Sequence, residues 1–452
     1  MKPDVVVIGA GAAGIFAAWR AASLGKKVLV LEKTSRIGTK ILISGGGKCN
    51  IAHDGPIGDV IRAFRKNEAD FIRSAVNRFP NRKIVPMFTE RGLEVYTRPD
   101  GRIFPVHQTA KDVVKILQDY LDEAGVEVSL NTPVEEILIK NGRVTGVRTG
   151  APFEKAKGYA QKDDKPRFGA KALLSDVLQT GTTSAGLNDQ IIQCDKIILA
   201  AGGSSYPNSG TTGDGWKWAR DLGHTVEKLT AALAPVYLEL DPFDPELSGV
   251  SLDDITLKAK RNGKEIARWQ GDLLFTHQGV SGPTVLGISR LIAENFAEGE
   301  IKLEADLAPG IDHPQITEAI LRQDGRRPVS SFIADSVPQR LAPYILRQCG
   351  IDEYTFFAKL EKKPRVRLVE TIKSLPLGAV RTVPLEKGEV VAGGVNLAEV
   401  DHQTMASRLV PGLFLCGEVL DVAGPVGGYN LQAAFATGYV AGESAASDAS
   451  AT

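Results

Sequence analysis

The residues best equipped for chemistry lie at the start of the chain, where Gly9-Ala10-Gly11-Ala12-Ala13-Gly14 forms a G-x-G-x-x-G turn. Between a strand and a helix, such a turn suits a pyrophosphate. Gly9 permits the tight bend, Gly11 lets the backbone approach the phosphates, and Gly14 lets the helix lie close to the sheet. Unpaired amides and the dipole at the helix start favour the negative charge. The flanks agree: Asp4–Ile8 (DVVVI) reads as a buried parallel strand, a small-residue helix follows to about Leu24, and Lys27–Leu31 (KVLVL) is a second strand. Glu32, eighteen residues past Gly14, is placed to accept hydrogen bonds from a ribose 2′-hydroxyl. An acid there would repel a 2′-phosphate, so the pattern predicts FAD or NAD rather than NADP.

Three further segments carry glycine turns. Gly38–Asn50 (GTKILISGGGKCN) follows the second strand, Ile197–Gly203 (IILAAGG) is another buried strand ending in a glycine pair, and Gly412–Gln432 (GLFLCGEVLDVAGPVGGYNLQ) is a strand, a Gly-Glu pair and a turn opening a helix. In order and length these motifs resemble the BaiN-like flavoprotein family, FAD-dependent oxidoreductases that include an aminoacetone oxidase and bile-acid-pathway reductases. The resemblance covers most of the chain, including Gly210–Gly215 (GTTGDG) and Leu273–Pro283 (LLFTHQGVSGP). It implies FAD, an interrupted nucleotide-binding domain, an inserted module, and hydride transfer at flavin N5 with a small organic substrate. The implied reaction is either amine or amino-ketone oxidation or reduction of an activated C=C bond. The alternative is a flavin-binding sensor or assembly protein without turnover.

On this reading Gly9, Gly11, Ala13, Gly14, Glu32 and Lys33 hold the dinucleotide. The loop Ser44, Gly45, Gly46, Gly47, Cys49 and Asn50 can pass close over the ring without side-chain clashes, and Lys48 or Lys40 can neutralise pyrophosphate or flavin carbonyl charge. Cys49 has no cysteine partner nearby and reads as a packed thiol. Ala201, Gly202, Gly203 and Asp214 belong to the implied cofactor contacts, and Gly417-Glu418 is placed to bind a ribityl hydroxyl. Gly428, Tyr429, Asn430 and Leu431 start a helix whose positive end, aimed at the N1–C2=O edge, raises the flavin potential. Val134 either meets the adenine through its backbone or is a core valine. His277, at the end of the apolar strand LLFT, is the catalytic candidate as a proton donor or acceptor; the other reading is an imidazole that holds its loop. His224 follows a helix end, where a cation suits the dipole. No histidine has metal-ligand spacing, so no metal is expected. Lacking a second strand-plus-G-x-G-x-x-G unit, the chain is expected to use NAD(P)H or oxygen only as a transient redox partner.

These residues need a scaffold. At 452 residues the chain has length for two or three domains. The expected class is α/β: a discontinuous Rossmann-type FAD-binding domain (1–232 and 384–452) interrupted by a β-barrel-like module (233–310), a helical cap (311–374) and a return strand (375–383). Short alternating strands, Ala234–Leu240, Ile255–Arg261, Lys264–Trp269, Asp272–Thr276 and Ile301–Asp306, suggest the barrel. Helical stretches including YTFFAKLEKK and RLVETIKSL suggest the cap. Between about 150 and 185 lies a polar stretch that departs from the family pattern and reads as a surface loop insertion, with a partner or lid role as the alternative.

Lys plus Arg equals Asp plus Glu at 54 each, so no global field favours nucleic acid or an anionic membrane, and neither is expected as a partner. The cysteines lack C-x-x-C spacing, which excludes a sequence-local redox disulfide. The first strand begins almost at Met1 and no apolar run approaches the ~18 residues of a membrane span. A cytoplasmic protein with a small-molecule substrate is the expectation.

Overall fold

The computed structural model describes residues 2–151, 183–184 and 187–447. The polar stretch at 150–185 therefore lies almost wholly outside the described residues. The chain divides into two compact units, Met1–Leu229 with Glu389–Thr452, and Thr230–Gly388.

The first unit is built on a parallel sheet in the order Leu413–Leu415, Lys196–Leu199, Val5–Ile8, Val28–Leu31, Glu127–Ser129 and Thr183–Ser184. Val5 pairs with both Val28 and Lys196, which centres the first strand. Val5, Val6 and Val7 are fully buried, as a strand covered on both faces requires. Helix Ala12–Ser23 packs against the terminal helix Tyr429–Ala446 at backbone distance. A Cβ on Gly438 would sit 2.2 Å from the Ala13 carbonyl oxygen, and one on Gly442 would sit 2.2 Å from that of Ala17. The small residues of both helices are thus a packing requirement. A second layer of backbone, Ala52–His53, Arg102–Pro105 and Val95–Thr97, forms an antiparallel sheet. The hairpin Val134–Lys140 and Arg143–Thr149 pairs on with Ile191–Gln193.

His224 corrects an expectation. It does follow a helix end, that of Asp214–Asp221, but rather than a cation facing the dipole it is a buried imidazole, with Nδ1 3.1 Å from Glu399 Oε2 and Nε2 2.8 Å from Ser407 Oγ. Burial holds its pKa below the usual imidazole value, and Glu399 only partly opposes this.

The second unit is a closed barrel ordered Val236–Leu238, Gly279–Ser281, Lys264–Phe275, Ser251–Arg261, Ile301–Asp306 and Leu375–Thr382. Its helices, Pro283–Asn295, His313–Leu321, Val329–Ala334, Ala342–Cys349 and Lys362–Lys373, share the barrel's core: Leu257, Leu273 and Leu303 join Ile345 and Leu368 in one apolar cluster, all fully buried. Two local readings change. The expected strands Lys264–Trp269 and Asp272–Thr276 are one strand, Lys264–Phe275, with Gly271 at φ +149° where the register against the neighbouring strand shifts. YTFFAKLEKK is mostly not helical; Phe356 is extended and bridges to Pro328, leaving one 3₁₀ turn at Phe357–Lys359.

Candidate functional site

In the first unit the sequence motifs converge on the carboxyl ends of the parallel strands. The three glycines of the first turn have three different reasons. Gly9 has φ +100° and a Cβ there would lie 2.6 Å from the Ala200 carbonyl oxygen. On Gly14 it would lie 1.9 Å from the carbonyl oxygen of Gly9. A Cβ on Gly11 would meet nothing within 4 Å. The protein itself does not require a glycine at position 11, and the space beside it is open to a ligand at the helix start. Gly11 is the N-cap, no side chain caps the helix, and the first-turn amides lack intrahelical acceptors.

Glu32 is tied into this turn. Its Oε2 accepts from Ala10 N at 2.8 Å, and its Oε1 accepts from Thr34 N and Oγ1, each at 2.8 Å. The carboxylate is therefore fixed at the turn, with lone pairs left for an incoming hydroxyl. Lys33 reaches Asp214 and Thr212, so two residues read separately from the sequence form one ion pair.

Lys40 and Glu418 also meet. Lys40 Nζ lies 2.7 Å from Glu418 Oε2 and 2.8 Å from Ser205 Oγ, while Glu418 Oε1 accepts from Val391 N at 3.0 Å. Gly203 leaves room for this pair: a Cβ there would stand 2.8 Å from Glu418 Oε1 and displace that carboxylate. Gly202 has φ +71°, and Ala201 is half-buried next to it. Ser205 and Val391 carry no recognisable sequence signal, because their roles arise only from tertiary approach. The same holds for Thr437, whose Oγ1 accepts from Gly417 N at 3.1 Å.

The loop after the second strand turns through Gly45 (φ +56°), Gly46 (φ +68°) and Gly47 (φ +89°), with Ser44 Oγ donating to Ile41 O at 2.8 Å. Gly46 faces open space. Cys49 is buried, and burial pushes its thiol up to about 12 against a weaker lowering by Ser44, so it is a protonated packing residue near neutrality.

This loop lies against the start of the terminal helix. A Cβ on Gly428 would be 2.6 Å from the Ala52 carbonyl carbon and 2.8 Å from Asn50 Oδ1. Asn430 is fully used locally, accepting from Gly424 N at 2.8 Å and donating to Gly424 O at 3.0 Å. Tyr429 stacks on His53, ring centroids 4.3 Å apart and planes at 19°, with Oη 3.0 Å from Nε2. His53 Nδ1 is 3.0 Å from the Gly427 carbonyl, which can only accept, so Nδ1 carries the proton. His53 was missed by sequence reasoning; an isolated histidine between Ala52 and Asp54 offers no pattern. Leu431 is half-buried in the first turn of the helix, and Val134 begins a strand opposite Thr149.

Among the described residues four buried side-chain atoms have no partner, Arg20 Nε and, on these loops and helix starts, Asn50 Oδ1, Gln432 Nε2 and Ser204 Oγ. An acceptor and a donor left unsatisfied beside an uncapped helix start call for a polar ligand edge. With the open face at Gly11, these features fit FAD, whose pyrophosphate and pyrimidine edge are of that chemistry. Among the described residues no cluster of His, Cys, Asp or Glu could hold a metal, and no helix is long and apolar enough to cross a membrane.

His277 belongs to the second unit, in the turn between Lys264–Phe275 and Gly279–Ser281. It is exposed and does not hold the loop. Thr276 does that, with its N and Oγ1 donating to Gly279 O at 2.8 and 3.1 Å.

Comparison with known proteins agrees with this architecture. The HI0933-like protein Rossmann domain matches residues 3–158 and 169–444. The chain is similar to a ribosomal RNA dihydrouridine synthase of Haemophilus influenzae, 31% identical over 436 residues and covering 96% of both chains. It is equally similar to a 3-dehydro-bile acid delta(4,6)-reductase of Clostridium scindens, 31% identical over 446 residues, covering 97% of this chain and 98% of that one. A solved 3-ketosteroid delta1-dehydrogenase from Sterolibacterium denitrificans shares the fold, with a TM-score of 0.50, 14% identity and coverage of 98% and 99%. With the glycine architecture, the orphaned polar atoms and these full-length matches together, the chain belongs to the HI0933-like family and is an FAD-dependent oxidoreductase.

Proposed function

We propose that this protein reduces a carbon–carbon double bond conjugated to a ring carbonyl, with a transiently docked NAD(P)H as electron source. The observation that carries the reading is the pair of full-length relatives: by their names, one forms dihydrouridine and the other is a delta(4,6)-reductase of a 3-oxo bile acid. Both activities saturate a bond of this kind, and they share one scaffold with this chain. FAD, when bound, supplies the hydride.

The chain's own residues hold and tune that cofactor. The amides that open helix Ala12–Ser23 take the pyrophosphate, and Glu32 the ribose hydroxyls. Lys40, paired with Glu418 and Ser205, sets a local balance of charge beside the ribityl chain. The start of helix Tyr429–Ala446, with Asn50 and Gln432, meets the polar edge of the ring, where its dipole favours added electron density. Reduction of the double bond also needs a proton at the carbon next to the carbonyl. His277 is assigned to deliver it, since it is exposed and not committed to loop structure.

The test is anaerobic turnover of the holoenzyme with NADPH. Incubation with ribosomal RNA and, separately, with a 3-oxo-4,6-diene steroid should give a product with two added hydrogens. Consumption of amines with oxygen reduction, and no saturation of either compound, would overturn the reading.

A further inference from the structure

The balanced charge of the whole chain hides a local excess in the second unit. Between Lys359 and Arg367 stand five cations, Lys359, Lys362, Lys363, Arg365 and Arg367, against Glu361 alone. None of the five makes a side-chain hydrogen bond or ion pair among the described residues. Many cations elsewhere in the unit are ion-paired, among them Arg322 with Glu318, Arg327 with Asp335, Arg347 with Asp244 and Lys260 with Glu304. Lys362, Lys363 and Arg367 share the exposed face of helix Lys362–Lys373, whose other face buries Leu368 and Thr371. The first turn of that helix holds Lys362, Lys363 and Arg365 and no acid. Cations there oppose the helix dipole, with Glu361 at the N-cap as the adjoining acid. Immediately upstream, Tyr354 is 80% exposed and Phe356 43% exposed.

We propose that this basic and aromatic face, residues 354–367, is a docking surface for RNA. Unpaired lysines and arginines neutralise phosphates, and exposed rings stack on unpaired bases. An anionic membrane fits less well, because the exposed helix face carries Val366 as its sole large apolar group and no stripe to enter a bilayer. The inference deepens the reductase reading and rests on it in one respect: the conjugated ring to be reduced becomes a base within an RNA strand.

The experiment is fluorescence anisotropy of the FAD-loaded, full-length protein with a labelled uridine-rich RNA hairpin, titrated between about 50 and 200 mM salt. The parent should bind with a steep salt dependence. The triple variant Lys359→Glu, Lys362→Glu, Lys363→Glu should lose at least about ten-fold in affinity and flatten the log–log salt slope by about 2. A triple lysine-to-glutamine variant covers the case in which charge reversal impairs folding, and should show the same direction with a smaller loss. Tyr354→Ala with Phe356→Ala should weaken binding while leaving the salt slope unchanged. Equal binding by parent and both lysine variants would overturn the proposal. So would no binding by the parent, or parent binding to phosphatidylglycerol vesicles but not to RNA. Binding is read without turnover, so its failure leaves steroid reduction testable, and failure of the reductase assay leaves the binding result standing.

Discussion

The two units put their information in different places. In the first, a few glycines are compelled by backbone atoms less than 3 Å from where a Cβ would stand, as at Gly9, Gly14, Gly428, Gly438 and Gly442. In the second, Gly279 is compelled in the same way, since a Cβ there would stand 2.2 Å from the Val236 carbonyl oxygen, but most of the specification lies in the closure of six strands over one shared core of Leu257, Leu303, Ile345 and their neighbours. The lesson is that a site formed by close backbone approach writes itself into local sequence, whereas a barrel distributes its specification over long-range pairing.

The largest expected effect tests the first half of that contrast inside one motif. Gly14→Val should cost about 3 kcal/mol or more of stability by overpacking against the Gly9 carbonyl, seen as a fall in melting temperature even without FAD. Gly11→Val should leave the FAD-free protein folded and melting as the parent does, yet abolish FAD retention, because its side chain fills ligand space. Equal melting losses in both variants would erase the distinction between the two glycines.

Next comes the contribution of the second unit to chemistry. His277→Ala should keep bound FAD and slow flavin reoxidation by the double-bond substrate by roughly 10²–10⁴-fold. An unchanged limiting rate in stopped flow would remove His277 from the proton transfer. A smaller effect is expected from Glu32→Ala, which should weaken FAD binding by about 1–3 kcal/mol. It should also lower FAD-free stability, because Ala10 N and Thr34 lose their acceptor. Loss of FAD affinity with no stability change would show that Glu32 serves the ribose alone.

The smallest effect concerns pH. The folded-state pKa of His224 is depressed by burial, so the stability it contributes is full above the unfolded imidazole value near 6.5 and declines as pH falls below about 6.5. Urea melts at neutral and mildly acid pH should show a fall of about 1 kcal/mol or less. The dependence should diminish in His224→Gln.

Much of the first unit was legible for the reason the contrast gives. The strand Val5–Ile8, the turn, and Glu32 sit within a single βαβ unit, so their contacts are local. The pairings Lys33–Asp214 and Lys40–Glu418 were not legible, since each joins residues more than 170 positions apart and nothing local marks the partner. In the second unit, Gln270-Gly271 looked like a break between two strands, but their pairing with Thr256 and Ile255 of the neighbouring strand carried one strand through it. Tyr354–Lys363 looked helical until the bridge of Phe356 to Pro328 overrode local preference. Helix Pro283–Asn295 was missed although Pro283 stands at its first turn and Val285, Ile288 and Ile292 are spaced for one buried face.

The contact between the first and last helices also bears on the order of events at the ribosome. Ala13 and Ala17 wait for Gly438 and Gly442, and strand Lys196–Leu199 waits for Leu413–Leu415. The amino-terminal unit, first to be made, cannot complete its sheet until nearly all of the chain has been translated. The unit Thr230–Gly388 is continuous and can close its barrel earlier. During synthesis Val5–Ile8 can be flanked on both sides, but the outer edge of Lys196–Leu199 stays exposed until Leu413–Leu415 emerges.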